Sequence, residues 1–196
     1  SLFPTLPSLS RPPIMKNSSG LSKPLKNTTM SPRSGRTRSK ARVILGIDPG
    51  FGRVGWGVIH EENGKLRAID YGIIQTPAGT AFTERLQLIY SKVQGLLQQY
   101  QPALGGVERL FFSQNTKTAI QVSEARGVIL LAFAQAGVPV HECTPQAVKQ
   151  ALSSNGRADK TQVQRMVKIL LNLKEIPKPD DVADALAIAV TASTSV

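Results

Sequence analysis

The segment Val43-Ile44-Leu45-Gly46-Ile47-Asp48-Pro49-Gly50 limits the fold more than any other stretch of the chain. A short apolar, β-branched run of this kind suits a buried strand. It ends on a carboxylate, Asp48; Pro49-Gly50 then breaks the strand, and Gly52 is expected to keep the turn tight. Val54 to His60 reads as a second strand, antiparallel to the first. An acid at the end of a buried strand costs free energy unless something pairs it. Taken alone, Asp48 would close the turn through its own backbone. That reading changes only if other carboxylates join it.

The rest of the chain supplies the elements around that strand. Asn63-Gly64 is a hairpin turn signal, followed by a third strand over Leu66 to Thr76. Helical spacing at Leu86, Ile89, Tyr90, Val93, Leu96 and Leu97 predicts a helix over Phe82 to Tyr100, stopped by Pro102. Ala103 to Val107 is a short buried strand that also runs into a carboxylate, Glu108. A polar loop with two phenylalanines, Phe111 and Phe112, leads to a long Ala-rich helix over Thr116 to Ala136. That helix is apolar on more than one side, as one that is fully buried or covered by a second subunit would be. Val138 to Cys143 is a fifth strand. Thr144-Pro145 caps and starts a short helix through Leu152, and Ser153 to Ala158 is a loop. Asp159 caps a helix running to about Leu173, Pro177 and Pro179 break the chain, and Asp180 or Asp181 opens a last helix ending near Thr191. Three antiparallel strands followed by strand–helix units predict an α/β fold, a mixed five-stranded sheet with helices on both faces.

Charge is unevenly placed. Of 24 Lys and Arg, nine fall within residues 1–42, which hold no Asp or Glu; beyond them the balance is only about +2. Residues 1–41, rich in Ser, Pro, Thr, Lys and Arg, are expected to be a disordered basic tail that favours polyanions without sequence choice. Its composition also matches an organelle transit segment. We favour a tail, or a start set too early with Met15 or Met30 as the true one, and expect a cytoplasmic protein. One cysteine, Cys143, excludes an internal disulfide and a cysteine-rich zinc site. No apolar run is long enough to cross a membrane.

Two further acids draw attention. Asp181 and Asp184 stand three apart at the start of the last helix, which puts them on one face. An acid near a helix N-terminus is ordinary, but Asp184 opens the apolar run Ala-Leu-Ala-Ile-Ala-Val. With Asp48 and Glu108 they make four carboxylates, each where the chain leaves or enters a buried element. Brought together, they stay ionised only if a cation compensates them. Oxygen donors alone suit magnesium or manganese rather than zinc. Two such ions can clamp a phosphodiester. The plainer alternative is four unrelated caps and turn acids.

Six blocks decide between these. They are Ile-Leu-Gly-Ile-Asp-Pro-Gly (44–50), Val-Glu-Arg-Leu-Phe-Phe (107–112), Glu-Ala-Arg-Gly (124–127), Thr-Pro-Gln-Ala-Val-Lys-Gln (144–150), Lys-Thr-Gln-Val-Gln-Arg-Met-Val (160–167) and Pro-Asp-Asp-Val-Ala-Asp-Ala-Leu-Ala-Ile-Ala (179–189). In this order, from Val43 to Ala192, the chain resembles the RuvC family of Holliday-junction resolvases. The resemblance implies a ribonuclease H-like fold and a resolvase domain over 42–192. It implies an endonuclease that cuts four-way DNA junctions symmetrically, as a homodimer, leaving 5′-phosphates. Mg2+ is the implied cofactor, two ions per subunit, with Mn2+ able to substitute. RuvA and RuvB are the implied branch-migration partners. The catalytic, metal-holding set maps onto Asp48, Glu108, Asp181 and Asp184, and Asp180 falls outside it as a helix-cap residue. Lys149 and Lys160 match positions facing the scissile phosphate, and Phe111 matches an aromatic that stacks on bases. Lys117 and Arg109 are expected to reach DNA, and Arg126-Gly127 lies where the family forms its dimer. Phe112 is read as a core residue, and His60 and His141 as structural. Two rival classes are weighed. A DNA-binding protein with a decayed site is disfavoured by the complete set of four acids. An actin-like ATPase needs a second similar domain, for which the chain is too short.

Overall fold

The computed structural model describes residues 41–110, 116–153, 156 and 158–195. All but the last residue of the expected 1–41 tail, the phenylalanines 111 and 112, and residues 154, 155 and 157 of the expected 153–158 loop lie outside the described residues. The elements are β1 (Arg42–Asp48), β2 (Arg53–Glu62), β3 (Lys65–Gln75), α1 (Phe82–Tyr100), β4 (Leu104–Glu108), α2 (Thr116–Gln135), β5 (Val140–Cys143), α3 (Pro145–Ser153), α4 (Lys160–Leu170) and α5 (Asp180–Ser193). They form one five-stranded sheet in the order β3-β2-β1-β4-β5. β1–β2 and β2–β3 pair antiparallel, while β1–β4 and β4–β5 pair parallel. The mixed sheet read from the sequence is the one observed.

Local signals behave as their chemistry requires. Asn63 and Gly64 both take positive φ, 53° and 75°, closing the β2–β3 hairpin. Asp159 caps α4 reciprocally: its carboxylate accepts from the Gln162 backbone N–H, and the Gln162 side chain accepts from the Asp159 N–H. Two boundaries differ from expectation. β5 begins at Val140 rather than Val138, because Gly137 at φ 67° first turns the chain out of α2. α4 ends at Leu170 rather than Leu173, because Asn172 adopts φ 52° and closes the helix early.

Period two along β1 sorts the interior into two cores. Leu45 and Ile47 face one side with Val107, Ile129 and Phe133, against α1 and α2. Ile44 faces the other with Leu104, Val163, Val167, Leu186 and Ile188, against α3, α4 and α5. Gly46 and Asp48 share the parity of Ile44 and so lie on the α5 side. α5 is buried along almost its whole length after Asp181.

It lies unusually close to the sheet. A Cβ added at Gly46 would sit 2.2 Å from the Ala185 carbonyl oxygen and 2.5 Å from the Ala189 nitrogen; one at Gly55 would sit 1.9 Å from the Asp181 carbonyl oxygen. Neither position has room for a side chain, because the obstacle is backbone. Gly46→Ala should therefore destabilise by at least the ~1–3 kcal/mol typical of overpacking, a loss of roughly 2–4 °C in Tm per kcal/mol for a domain of this size. Gly95, inside α1 with no heavy atom within 4 Å of its virtual Cβ, should do the opposite: Gly95→Ala gains ~0.5–1 kcal/mol. Thermal melts of the two variants check this, and shifts of the same sign would show that close docking of α5 does not govern stability.

Candidate active site

Strand register places the acids. β1 and β4 run parallel with Ile47 opposite Val107, so the next residues, Asp48 and Glu108, end adjacent strands side by side. β1 also pairs with β2, with Asp48 opposite Gly55. Gly55 is the residue whose missing side chain admits the Asp181 backbone. The start of α5 is thereby seated next to the end of β1, and Asp184 follows one turn on. Three elements distant in sequence bring the four predicted carboxylates to one end of the sheet.

Their electrostatics show how near they are. The Asp48 carboxyl is pushed up to about 8, first by burial and then by the charges of Glu108, Asp184 and Asp181, against a lowering by Lys160. Glu108 is raised by burial and by Asp184, with Lys160 opposing. Asp184 is raised by burial, which outweighs its hydrogen bond with Lys160. Among the described residues Asp48 accepts no hydrogen bond from its own turn, so the turn-closing alternative fails. The turn is held instead from α1: Thr76 Oγ1 donates to the Phe51 carbonyl at 2.6 Å, Arg85 Nε donates to Thr76 Oγ1 at 3.0 Å, and the Arg85 guanidinium lies 3.8 Å from the Phe51 ring centre. Tightness comes from Gly50, where a Cβ would meet the Arg53 carbonyl oxygen at 2.0 Å. It does not come from Gly52, whose nearest neighbour is 3.8 Å away.

Cations compensate part of the charge. Lys160 Nζ, at the first position of α4, lies 3.1 Å from Asp184 Oδ2 and 3.2 Å from Asp180 Oδ2. Burial pulls the Lys160 ammonium down, but those two partners outweigh it and raise it overall. Arg53 Nε lies 3.4 Å from Asp181 Oδ2. That contact is an ion pair without hydrogen-bond geometry, and Asp181 Oδ2 is a buried oxygen with no hydrogen-bond donor. Asp180 is not the helix cap expected of it. Pro179 occupies that position, and the Asp180 carboxylate instead pairs with Lys160 and accepts from Gln164 at 3.1 Å.

Of the other predicted site residues, Lys149 and Lys160 line one cleft with Glu108 and Asp184, about 300 Å3 in volume. Arg109 is paired with Glu142 at 3.9 Å. Phe111 and the Lys117 side chain lie outside the described residues. Arg126, read as an interface residue, turns inward: its Nε donates to the Glu108 carbonyl at 2.9 Å and its guanidinium pairs with Glu142, tying α2 to the ends of β4 and β5. The helix spacing of Arg126 gave no hint of this, since its partners are set by sheet register. Cys143 is fully buried, as expected of a small core residue.

Among the described residues, no three His, Cys, Asp or Glu side chains stand close enough to hold a metal ion as they lie. Lys160 and Arg53 stand as counter-charges against Asp184 and Asp181, two of the four acids. The donor set still fits a metal ion: oxygens only, mutually repelling, with one carboxylate proton held up to about 8 and one buried oxygen lacking a donor.

Acids at the ends of the two central parallel strands, faced by acids from the last helix, define a ribonuclease H-like nuclease fold. A family model described as crossover junction endodeoxyribonuclease RuvC matches residues 44–192. The crossover junction endodeoxyribonuclease RuvC of Halothermothrix orenii is 55% identical over 148 residues, covering 76% of this chain and 90% of the relative. The solved Thermus thermophilus RuvC superposes with a TM-score of 0.73 at 40% identity, covering 77% of this chain and 93% of that one. The T. thermophilus RuvC in complex with a Holliday junction substrate gives 0.71 at 38% identity, with 77% and 92% covered. The chain belongs to the RuvC family of crossover junction endodeoxyribonucleases. Among the described residues no helix is long and apolar enough to cross a membrane.

The raised carboxylates generate a test without DNA. A carboxyl whose folded pKa lies above its unfolded value stabilises the fold below the unfolded value, and that contribution is lost as pH rises through the folded one. For Asp48 the window runs from about 4 to about 8. At pH 8.5 in a chelator, Asp48→Asn should therefore melt higher than the wild type, by at least the ~2–4 °C that 1 kcal/mol gives here. A divalent metal ion at millimolar concentration should close the gap by stabilising only the wild type. An Asn variant that melts at or below the wild type in the chelator would show that Asp48 is not under this repulsion.

Proposed function

We propose that this chain is a homodimeric, metal-dependent endonuclease that resolves four-way DNA junctions, each subunit nicking one of two symmetric strands to leave a 5′-phosphate. The observation that carries the reading is the burial of Asp48 among Glu108, Asp181 and Asp184 with two lysines, Lys149 and Lys160, at the same end of the sheet. In this reading the four acids are the catalytic set and hold Mg2+, two ions per subunit, with Mn2+ able to replace it. When bound, such ions neutralise the phosphodiester and lower the pKa of the attacking water. Lys149 and Lys160 hold non-bridging phosphate oxygens as compact point charges. Arg126 keeps Glu108 at the strand end. Phe111 stacks on a base opened at the junction, and Arg109 and Lys117 steady the backbone.

Dimerisation has a surface to use. Ile120 and Leu131 on α2 are 61% and 51% exposed, and a Cβ on Gly127 would meet no atom within 4 Å. Positions 120, 127 and 131 fall on one helix face. A two-fold dimer suits a two-fold junction, because each site then meets an equivalent phosphate. Partnership with RuvA and RuvB, and a cytoplasmic setting, follow from the family reading.

Removing one carboxylate removes charge compensation for the ions but leaves the basic surface intact. Asp48→Asn, Glu108→Gln, Asp181→Asn and Asp184→Asn should each lower cleavage of a synthetic four-way junction at least a hundredfold, in order of magnitude, while junction binding by gel shift persists. Near wild-type cleavage in any two would sink the metal-dependent assignment.

The tail is proposed as a separate, sequence-blind contributor. Residues 1–42 hold nine basic residues and no acid, so deleting 1–41 should weaken binding to plain duplex more than to junctions and leave the cleavage pattern unchanged. Loss of junction discrimination in the truncated protein would place the tail within the recognition surface.

A further inference from the structure

Lys160 stands between two concavities. One is the cleft with Glu108, Lys149 and Asp184. The other, about 680 Å3, is lined by Arg53, Lys160, Lys178, Pro179, Asp180 and Asp181. The second shares Lys160 and Asp181 with the site, but Arg53 and Lys178 have no role in it so far, and the cations are arranged in an informative way. Arg53 rests on Asp181, and Lys160 on Asp180 and Asp184. Lys178 is exposed and, among the described residues, makes no hydrogen bond or ion pair. The Arg53 contact is loose. At 3.4 Å it satisfies neither the geometry of a hydrogen bond nor the buried Asp181 Oδ2, and the Arg53 side chain is 56% exposed. A guanidinium held this weakly is free to change partner.

We propose that this groove holds a backbone phosphate of the DNA strand beside the one being cut, and that Arg53 passes to it from Asp181 once a metal ion takes over that carboxylate. The inference rests on the nuclease reading above. The charge balance favours it: three cations face Asp180 and Asp181 in the metal-free groove, and a divalent ion on Asp181 leaves the guanidinium without a counter-charge. A phosphodiester supplies one, and the planar fork of arginine matches its two free oxygens. Arg53 is then a positioning residue, which competes with metal before DNA arrives and fixes the strand afterwards. Lys178 serves the phosphate alone.

The two roles predict opposite effects of one substitution. In the absence of DNA, Arg53→Gln should bind Mn2+ about two- to fivefold more tightly by calorimetry, because a partly exposed ion pair no longer competes; Lys178→Gln should bind it as the wild type does. On DNA, in Ca2+ with the strands checked for integrity, each substitution should flatten the dependence of log K on log salt by about one unit. Arg53→Lys should keep the wild-type salt slope. Lys174→Gln, on the loop before Pro177, serves as a charge-matched control and should change neither quantity. Wild-type values of either Mn2+ affinity or salt slope in Arg53→Gln overturn the proposal. So does an equal flattening by Lys174→Gln. Wild-type protein that fails to cut a four-way junction overturns the nuclease reading instead, since manganese affinity and salt slope on any DNA the protein binds still decide the groove.

Discussion

The backbone contact between α5 and the centre of the sheet is the constraint on which the site depends. At Gly46 and Gly55 the helix comes so near that no side chain fits between. Side chains at those two positions would force the helix outward and carry Asp181 and Asp184 away from Asp48. Close approach also makes α5 apolar on nearly every side, with Val182 to Ser193 buried. Asp181 and Asp184 are the exceptions, only partly buried at the one edge where the helix leaves cover. The glycines in β1 and β2 weaken those strands locally, and packing against α5 offsets that weakness.

Bringing acids together opposes folding. Burial and three like charges hold the Asp48 proton to about 8, so the ionised site is a source of strain that the rest of the molecule must outweigh. Two basic side chains stand against these acids: Lys160, fixed at the start of α4 by the Asp159–Gln162 capping box, pairs with Asp184, and Arg53, at the start of β2, pairs with Asp181. Both reach from well-ordered element ends, and neither closes the site completely, as the orphaned Asp181 Oδ2 shows. A fully neutralised cluster would be more stable and would have no reason to take up a cation.

Much of this was legible in the sequence because the signals were local. Asp-Pro-Gly after an apolar run, Asn-Gly between two strands, Asp159 three residues before Gln162, and apolar spacing in α1 each specify an element by short-range chemistry. Asp181 and Asp184 could be paired because helix geometry fixes which residues share a face. What escaped depended on contacts across the fold. Arg126 lies in a helix whose spacing says nothing about the Glu108 carbonyl it reaches. Asp180 sits one residue inside the helix rather than capping it, because Pro179 takes the cap position and Lys160 takes the carboxylate. Gly50 and Gly52 look alike as turn residues; only the position of the Arg53 carbonyl separates them.

Strand parity links stability to chemistry. Along β1, Leu45 and Ile47 build the core against α1 and α2, while Ile44, Gly46 and Asp48 point toward α5. A slip of one residue would bury Asp48 among Val107, Ile129 and Phe133 and set Ile47 where the acid belongs. The register is held from both sides, by seven antiparallel pairs with β2 and four parallel pairs with β4. The same alternation in β4 turns Gly105 toward Phe133 and Gly106 toward Ile188, which leaves Glu108 on the side of Asp48. Two strands of matched parity, one behind the other in a parallel pair, are therefore enough to set two acids side by side. The helix seated on their glycines brings the other two.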